Sequence, residues 1–121
     1  MRDVSAKSGT LRSAKASAVL NVDKSTIEAI RSGNVPKADP LGVARVAGIQ
    51  AAKNTSMLIP YCHQVPLDFV DVAISLENSS IIVTAEVKAI WKTGVEMEAL
   101  VAASATALTL YDMLKITDQA M

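Results

Sequence analysis

One cysteine and one histidine among 121 residues leave little room for metal or redox chemistry. Cys62 has no second cysteine with which to close an intramolecular disulfide. With His63 as its only neighbour of that kind, it cannot build a structural zinc site or anchor an iron–sulfur cluster. Aromatic residues are just as scarce, at 3%, beside an abundance of Ala, Val, Ile and Leu. Each helix or strand therefore brings thin side chains to the core, and contacts between subunits are a natural source of the missing burial. Neither sign of charge dominates: twelve basic and twelve acidic residues give a formal charge of zero. That excludes a broad basic field for nucleic acid or an anionic membrane, so an anion must be held by local placement. No run of about eighteen residues is free of charges or breaks, and no basic-then-apolar leader opens the chain. These absences predict a soluble, cytoplasmic protein of one domain, with neither nucleic acid nor membrane as partner.

The patterning that is present predicts an α+β fold. Ala14, Ala16, Ala18, Leu20 and Val22 alternate with mostly polar neighbours, the period of a half-buried strand. "DKSTIEAIRSGN" follows as a helix, with Ser25 and Glu28 at capping-box spacing and Gly33 to end it. Two prolines frame the loop "VPKADP", and Asp39-Pro40 supplies an N-cap and first position for a helix expected to run through Leu58, rich in small residues that allow close packing. "IPYCHQVP" reads as a constrained loop holding Cys62 and His63. Alternation from Leu67 to Leu76, the turn "ENSS" and the strand "IIVTAEVKAI" predict a β-hairpin. Thr93 and Glu96 have capping-box spacing before a long helix from Val95 to about Thr117. The order strand, helix, helix, strand, strand, helix is a split β-α-β pattern that lacks its last strand.

Few residues in this frame can carry chemistry, and each also has an ordinary structural explanation. Glu96 suits a capping box and Glu98 the positive end of a helix dipole. Two positions apart on a helix is about 200° of rotation, which argues against the two acids converging on one ligand. Asp112 and Lys115 are three apart and share a helix face: a surface ion pair, or a carboxylate and an ammonium set to move protons and neutralise phosphate. His63 is a satisfied loop residue or a general acid or base, and Cys62 reads as filler because adjacent side chains point apart. Lys37 precedes an N-cap and Lys53 lies near that helix's end, positions compatible with an anion site or with plain solvation.

Three segments together, "DVSAK", "KADPLGVARVAGIQAAKNTSMLIPYCH" and "KTGVEMEALVAASATALTLYDMLK", resemble the cyclic pyranopterin monophosphate synthase family, the molybdenum cofactor biosynthesis protein C family. Its hallmark strings are close to K-G-D, A-R-I-A-G-I-Q-A-A-K, L-I-P-L-C-H and T-G-V-E-M-E-A-L followed by Y-D-M-x-K, and the likeness runs from Asp3 to Lys115. The resemblance implies a ferredoxin-like α+β subunit, a hexamer built as a trimer of dimers, and an active site at a subunit interface. It also implies a lyase reaction that converts 3′,8-cyclo-7,8-dihydroguanosine triphosphate to cyclic pyranopterin monophosphate and releases pyrophosphate. No cofactor is expected to be tightly bound, with magnesium at most accompanying the triphosphate.

By motif, the resemblance assigns catalysis and phosphate contact to Lys37 and Lys115, and proton transfer to Asp112 and His63. Lys53, Arg45, Asp3, Cys62, Glu96 and Glu98 fall on positions that line the substrate pocket. Three features depart from the pattern. Ala38 stands at the glycine of K-G-D, which matters if that position needs positive φ. The loop reads Y-C-H-Q-V-P where the family tends to L-C-H-P-L, and the sequence stops before the expected last strand and a Gly-, Ser- and Lys-rich tail that contacts phosphate. A catalytically silent pterin- or nucleotide-binding subunit of the same fold is the rival reading, and an effector-binding ferredoxin-like domain is a third.

Overall fold

The computed structural model describes residues 1–118 and 120–121. Strand β1 (Thr10–Asn21) leads to helix α1 (Lys24–Ser32), helix α2 (Pro40–Lys53) and the single turn α3 (Thr55–Leu58). Strands β2 (Phe69–Leu76) and β3 (Ser80–Trp91) form the expected hairpin, and helix α4 (Glu96–Leu114) follows. The three strands make one antiparallel sheet in the order β1-β3-β2. The result is the α+β, ferredoxin-like arrangement that the element order predicts, with one edge of β1 unpaired.

β3 lies in the centre, which explains its composition. Ile81, Val83, Ala85, Val87 and Ala89 alternate onto the helix-covered face and are fully buried. Across the ladder they meet Leu20, Ala18, Ala16, Ala14 and Arg12 of β1. The opposite face is mixed, with Leu11 and Ile90 paired and exposed beside the Lys15–Glu86 ion pair.

Helix α4 is the core helix. Its length and hydropathy would suit a membrane span, but its packing against α2, β1 and β3 accounts for the hydropathy instead. Where α2 crosses it, Gly48 meets Thr106: a Cβ at Gly48 would overlap Thr106 Oγ1 and approach Ala102 O to 3.1 Å. The small residues of α2 thus allow the close helix packing that the sequence predicts.

Local details correct three expectations. The Ser25–Glu28 capping box is not formed: Asp23 is the N-cap of α1, and its side chain makes no cap bond. The cap comes from far along the chain, where the buried Asp118 Oδ2 accepts from Asp23 N–H (2.6 Å) and Thr26 Oγ1–H (3.0 Å). The long second helix breaks at Asn54, whose Nδ2–H donates to Gln50 O (2.8 Å), while Thr55 Oγ1–H donates to Ala51 O and Ala52 O. Side chains that occupy the last carbonyls in this way compete with helix continuation. Thr93 and Glu96 form no capping box either, because α4 begins at Glu96 with Val95 as an N-cap that makes no side-chain bond. Gly33 ends α1 as expected, left-handed at φ 77°.

Candidate active site

The catalytic candidates form two clusters, one at each end of α4. At its C-terminal end, Asp112 stands between two ammonium groups: Lys115 Nζ lies 3.0 Å from Oδ1 and Lys37 Nζ 3.4 Å from Oδ2. Lys37 also donates to the Asp112 carbonyl at 3.3 Å. The two lysines therefore converge from different elements. Lys115 comes from the turn that ends α4, and Lys37 from the loop before α2.

Asp39 sets the course of that loop. It is the only non-glycine residue with positive φ among the described residues (φ 55°, ψ 56°), so the strain that Ala38 seemed to invite falls one residue later. Its Oδ1 accepts from Gly42 N–H (3.2 Å), capping α2, and a Cβ at Gly42 would run into this carboxylate.

All three charged side chains are about half exposed. The hydrogen bond from Lys115, and then its charge and that of Lys37, hold the Asp112 carboxyl below the usual carboxylate range. Asp112 is thus an anion throughout the neutral range, and an incoming polyanion would compete with it for both lysines.

At the N-terminal end of α4, Cys62, His63, Thr93, Gly94, Glu96, Met97 and Glu98 line a small cavity of about 120 Å³. Helical rotation predicts that the two acids diverge, yet both face this cavity. Glu96 is the first helical residue, so its side chain is free to bend back over Gly94, towards the helix's positive end. Cys62 and His63 likewise share the cavity instead of pointing apart.

Glu98 is only 4% exposed. Burial pushes its carboxyl above the usual range against a bond from its own backbone N–H, and the charge of Glu96 adds a smaller push in the same direction as burial. The Cys62 thiol is raised by burial and by Glu98 and Glu96, which keeps it protonated and makes it a poor nucleophile. His63 Nε2–H donates to the carbonyl of Arg2 (2.6 Å), which fixes the ring's tautomer and ties the N-terminal arm to a residue of the cavity wall. In that arm Asp3 Oδ1 accepts from Ser5 N–H (2.9 Å) and Ser5 Oγ–H (2.7 Å), bonds that keep Asp3 ionised and the turn closed.

The remaining candidates lie in neither cluster. Lys53 borders a cleft of about 600 Å³ between α2 and the start of β2, with Trp91, Phe69 and Gln64 among its other walls. Arg45 Nε–H donates to Val72 O (3.0 Å), tying α2 to the unpaired edge of β2. Within one chain the two clusters do not meet. Glu98 and Asp112 are fourteen residues apart on one helix, about 21 Å along its axis.

The model of the MoaC family matches residues 1–121. Over 123 aligned residues the chain is 47% identical to a cyclic pyranopterin monophosphate synthase of Clostridium acetobutylicum and 51% identical to one of Clostridium perfringens. All of the chain is covered in both cases, with 76% and 78% of the two relatives. Cyclic pyranopterin monophosphate synthase 2 of Mycobacterium bovis is 49% identical over 118 residues, covering 98% of the chain and 71% of that protein.

Proposed function

The chain belongs to the MoaC family, and from that membership we propose that it is a cyclic pyranopterin monophosphate synthase of molybdenum cofactor biosynthesis. In this reading it acts as a lyase, converting 3′,8-cyclo-7,8-dihydroguanosine triphosphate to cyclic pyranopterin monophosphate and pyrophosphate. The observation that carries the reading is the convergence of Lys37 and Lys115 on Asp112. Two ammonium groups brought together from separate elements suit a triphosphate whose terminal pair departs as pyrophosphate, because positive charge already in place stabilises the leaving anion.

The cavity at the other end of α4 suits the remaining chemistry. Rearranging the purine requires repeated proton transfers, and Glu98, its proton affinity raised by burial, lines that cavity with His63, two groups of the type that accept and return protons. The 21 Å between Glu98 and Asp112 is too long for one substrate to bridge in one subunit. A site shared between subunits of a hexamer, a trimer of dimers, resolves the distance by pairing the basic end of one α4 with the acidic end of another. Exposed Val46, Leu100 and Leu108 on α2 and α4 provide apolar surface for such contacts.

Among the described residues no group of three His, Cys, Asp or Glu side chains is arranged to hold a metal ion. Magnesium belongs in this reading to the substrate, carried in on the triphosphate. In this reading the protein acts in the cytoplasm.

The test is direct. Purified protein incubated with the cyclo-dihydroguanosine triphosphate should release pyrophosphate and form the pterin together, at catalytic turnover. Lys37→Ala and Lys115→Ala should each abolish both products and leave the circular dichroism spectrum unchanged. Near-normal turnover in either variant removes that lysine from the mechanism, and no turnover by the wild-type oligomer favours a silent binding subunit.

A further inference from the structure

Gly94 precedes α4 at a position where its backbone does not require glycine. Gly33 is the only glycine with positive φ among the described residues, so an L-residue could adopt the conformation at 94 without strain. What Gly94 supplies is space. A Cβ there would overlap the Glu96 carboxylate, with Cδ only 3.1 Å away, and nothing else is as near. The Glu96 carboxylate therefore occupies the volume that any other side chain would fill.

We propose that Gly94 is the positioning residue of the two-carboxylate cavity: its missing Cβ is the seat that lets Glu96 turn back to face Glu98, Cys62 and His63. The inference rests on the proposed activity only for its catalytic consequence, since the seat itself is geometric. Gly94→Ala collides with the far end of a flexible side chain and not with backbone, so the low-energy response is rotation of Glu96 out of the cavity. The fold should survive while the cavity loses one of its two acids. Both glycine and acid thus serve one purpose, which is to overcome the rotation that would otherwise send positions 96 and 98 apart.

Cys62 gives a readout that does not depend on turnover, because it is the sole cysteine and it faces both acids. Its thiol is held up by burial, Glu98 and Glu96, so moving Glu96 away should lower its titration. The experiment follows iodoacetamide alkylation of Cys62 against pH in the wild type, Gly94→Ala, Glu96→Gln and the double variant, alongside kcat/KM and Tm. Gly94→Ala and Glu96→Gln should each speed alkylation at pH 8 by about twofold or more, and the double variant should add nothing further. Gly94→Ala should also lower kcat/KM by about tenfold or more with Tm unchanged within about 2 °C. Wild-type alkylation kinetics in Gly94→Ala, an additive double variant, or a large fall in Tm would each overturn the inference. If the thiol pattern holds but the wild type turns over no substrate, the seat stands and the proposed reaction falls.

Discussion

Gly48→Ala tests the seam between α2 and α4 on which the placement of Lys37 over Asp112 depends. Helix propensity alone favours the change, since alanine exceeds glycine by about 1 kcal/mol in a helix interior. Packing opposes it. The new methyl would overlap Thr106 Oγ1 and sit 3.1 Å from Ala102 O and 3.3 Å from Val72 Cγ2, so it is blocked by a helix backbone on one side and by the sheet on another. Thr106 cannot easily yield, being fully buried with its hydroxyl donating to Ala102 O at 2.8 Å. Overpacking of this kind costs about 1–3 kcal/mol, and with three contacts blocked the upper end applies. The net loss is then about 2 kcal/mol. A chain of 121 residues has an unfolding entropy of about 0.25 kcal/mol/K, so Tm should fall by about 8 °C. Thr106→Ala removes the nearest obstacle, and in that background Gly48→Ala should cost less than about 1 kcal/mol, a coupling of about 1 kcal/mol or more. Thermal and urea unfolding of the four proteins completes the cycle. A rise in Tm for Gly48→Ala, as propensity alone predicts, or strict additivity with Thr106→Ala would refute the packing argument.

Two further substitutions probe buried carboxylates of opposite character. Hydrogen bonds from Asp23 N–H and Thr26, the first foremost, depress the Asp118 carboxyl, so its contribution is present above its unfolded value and fades as pH falls through its folded one. Asp118→Ala should therefore cost about 1–2 kcal/mol at pH 7 in urea unfolding, and the deficit should shrink below about pH 4; an equal deficit at pH 7 and pH 3 would count against the carboxylate as the cap of α1. Glu98 has the reverse sign. Burial raises its carboxyl, so ionisation costs stability as pH rises above the unfolded value, and Glu98→Gln should raise Tm at pH 7 but not at pH 4 while impairing turnover. A lower Tm at pH 7 would mean that the charge is stabilised in the fold after all.

The sequence made the elements legible wherever short-range physics decides them. Alternation revealed β1, β2 and β3, and Asp39-Pro40 marked the start of α2, because each signal depends on neighbours a few positions away. The ion triad was half visible on the same grounds: Asp112 and Lys115 are one turn apart, whereas the approach of Lys37 depends on where α2 crosses α4. The failures are long-range by nature. Ser25 and Glu28 have a capping-box pattern, but Asp118 reaches the N-cap amide of Asp23 and the Thr26 hydroxyl from more than ninety residues away, and no local pattern competes with a buried carboxylate already in place. Glu96 and Glu98 were kept apart by a rotation rule that holds inside a helix and lapses at its first residue, where a side chain may bend back past the last non-helical residue if that residue leaves room. The glycine that leaves the room was in plain view beside the acids, but its φ is ordinary, so rules that look for glycine in left-handed turns pass over it. A bare string such as T-G-V-E-M-E thus encodes a cavity only when its glycine is read as absent volume and its acids as the side chains that fill it.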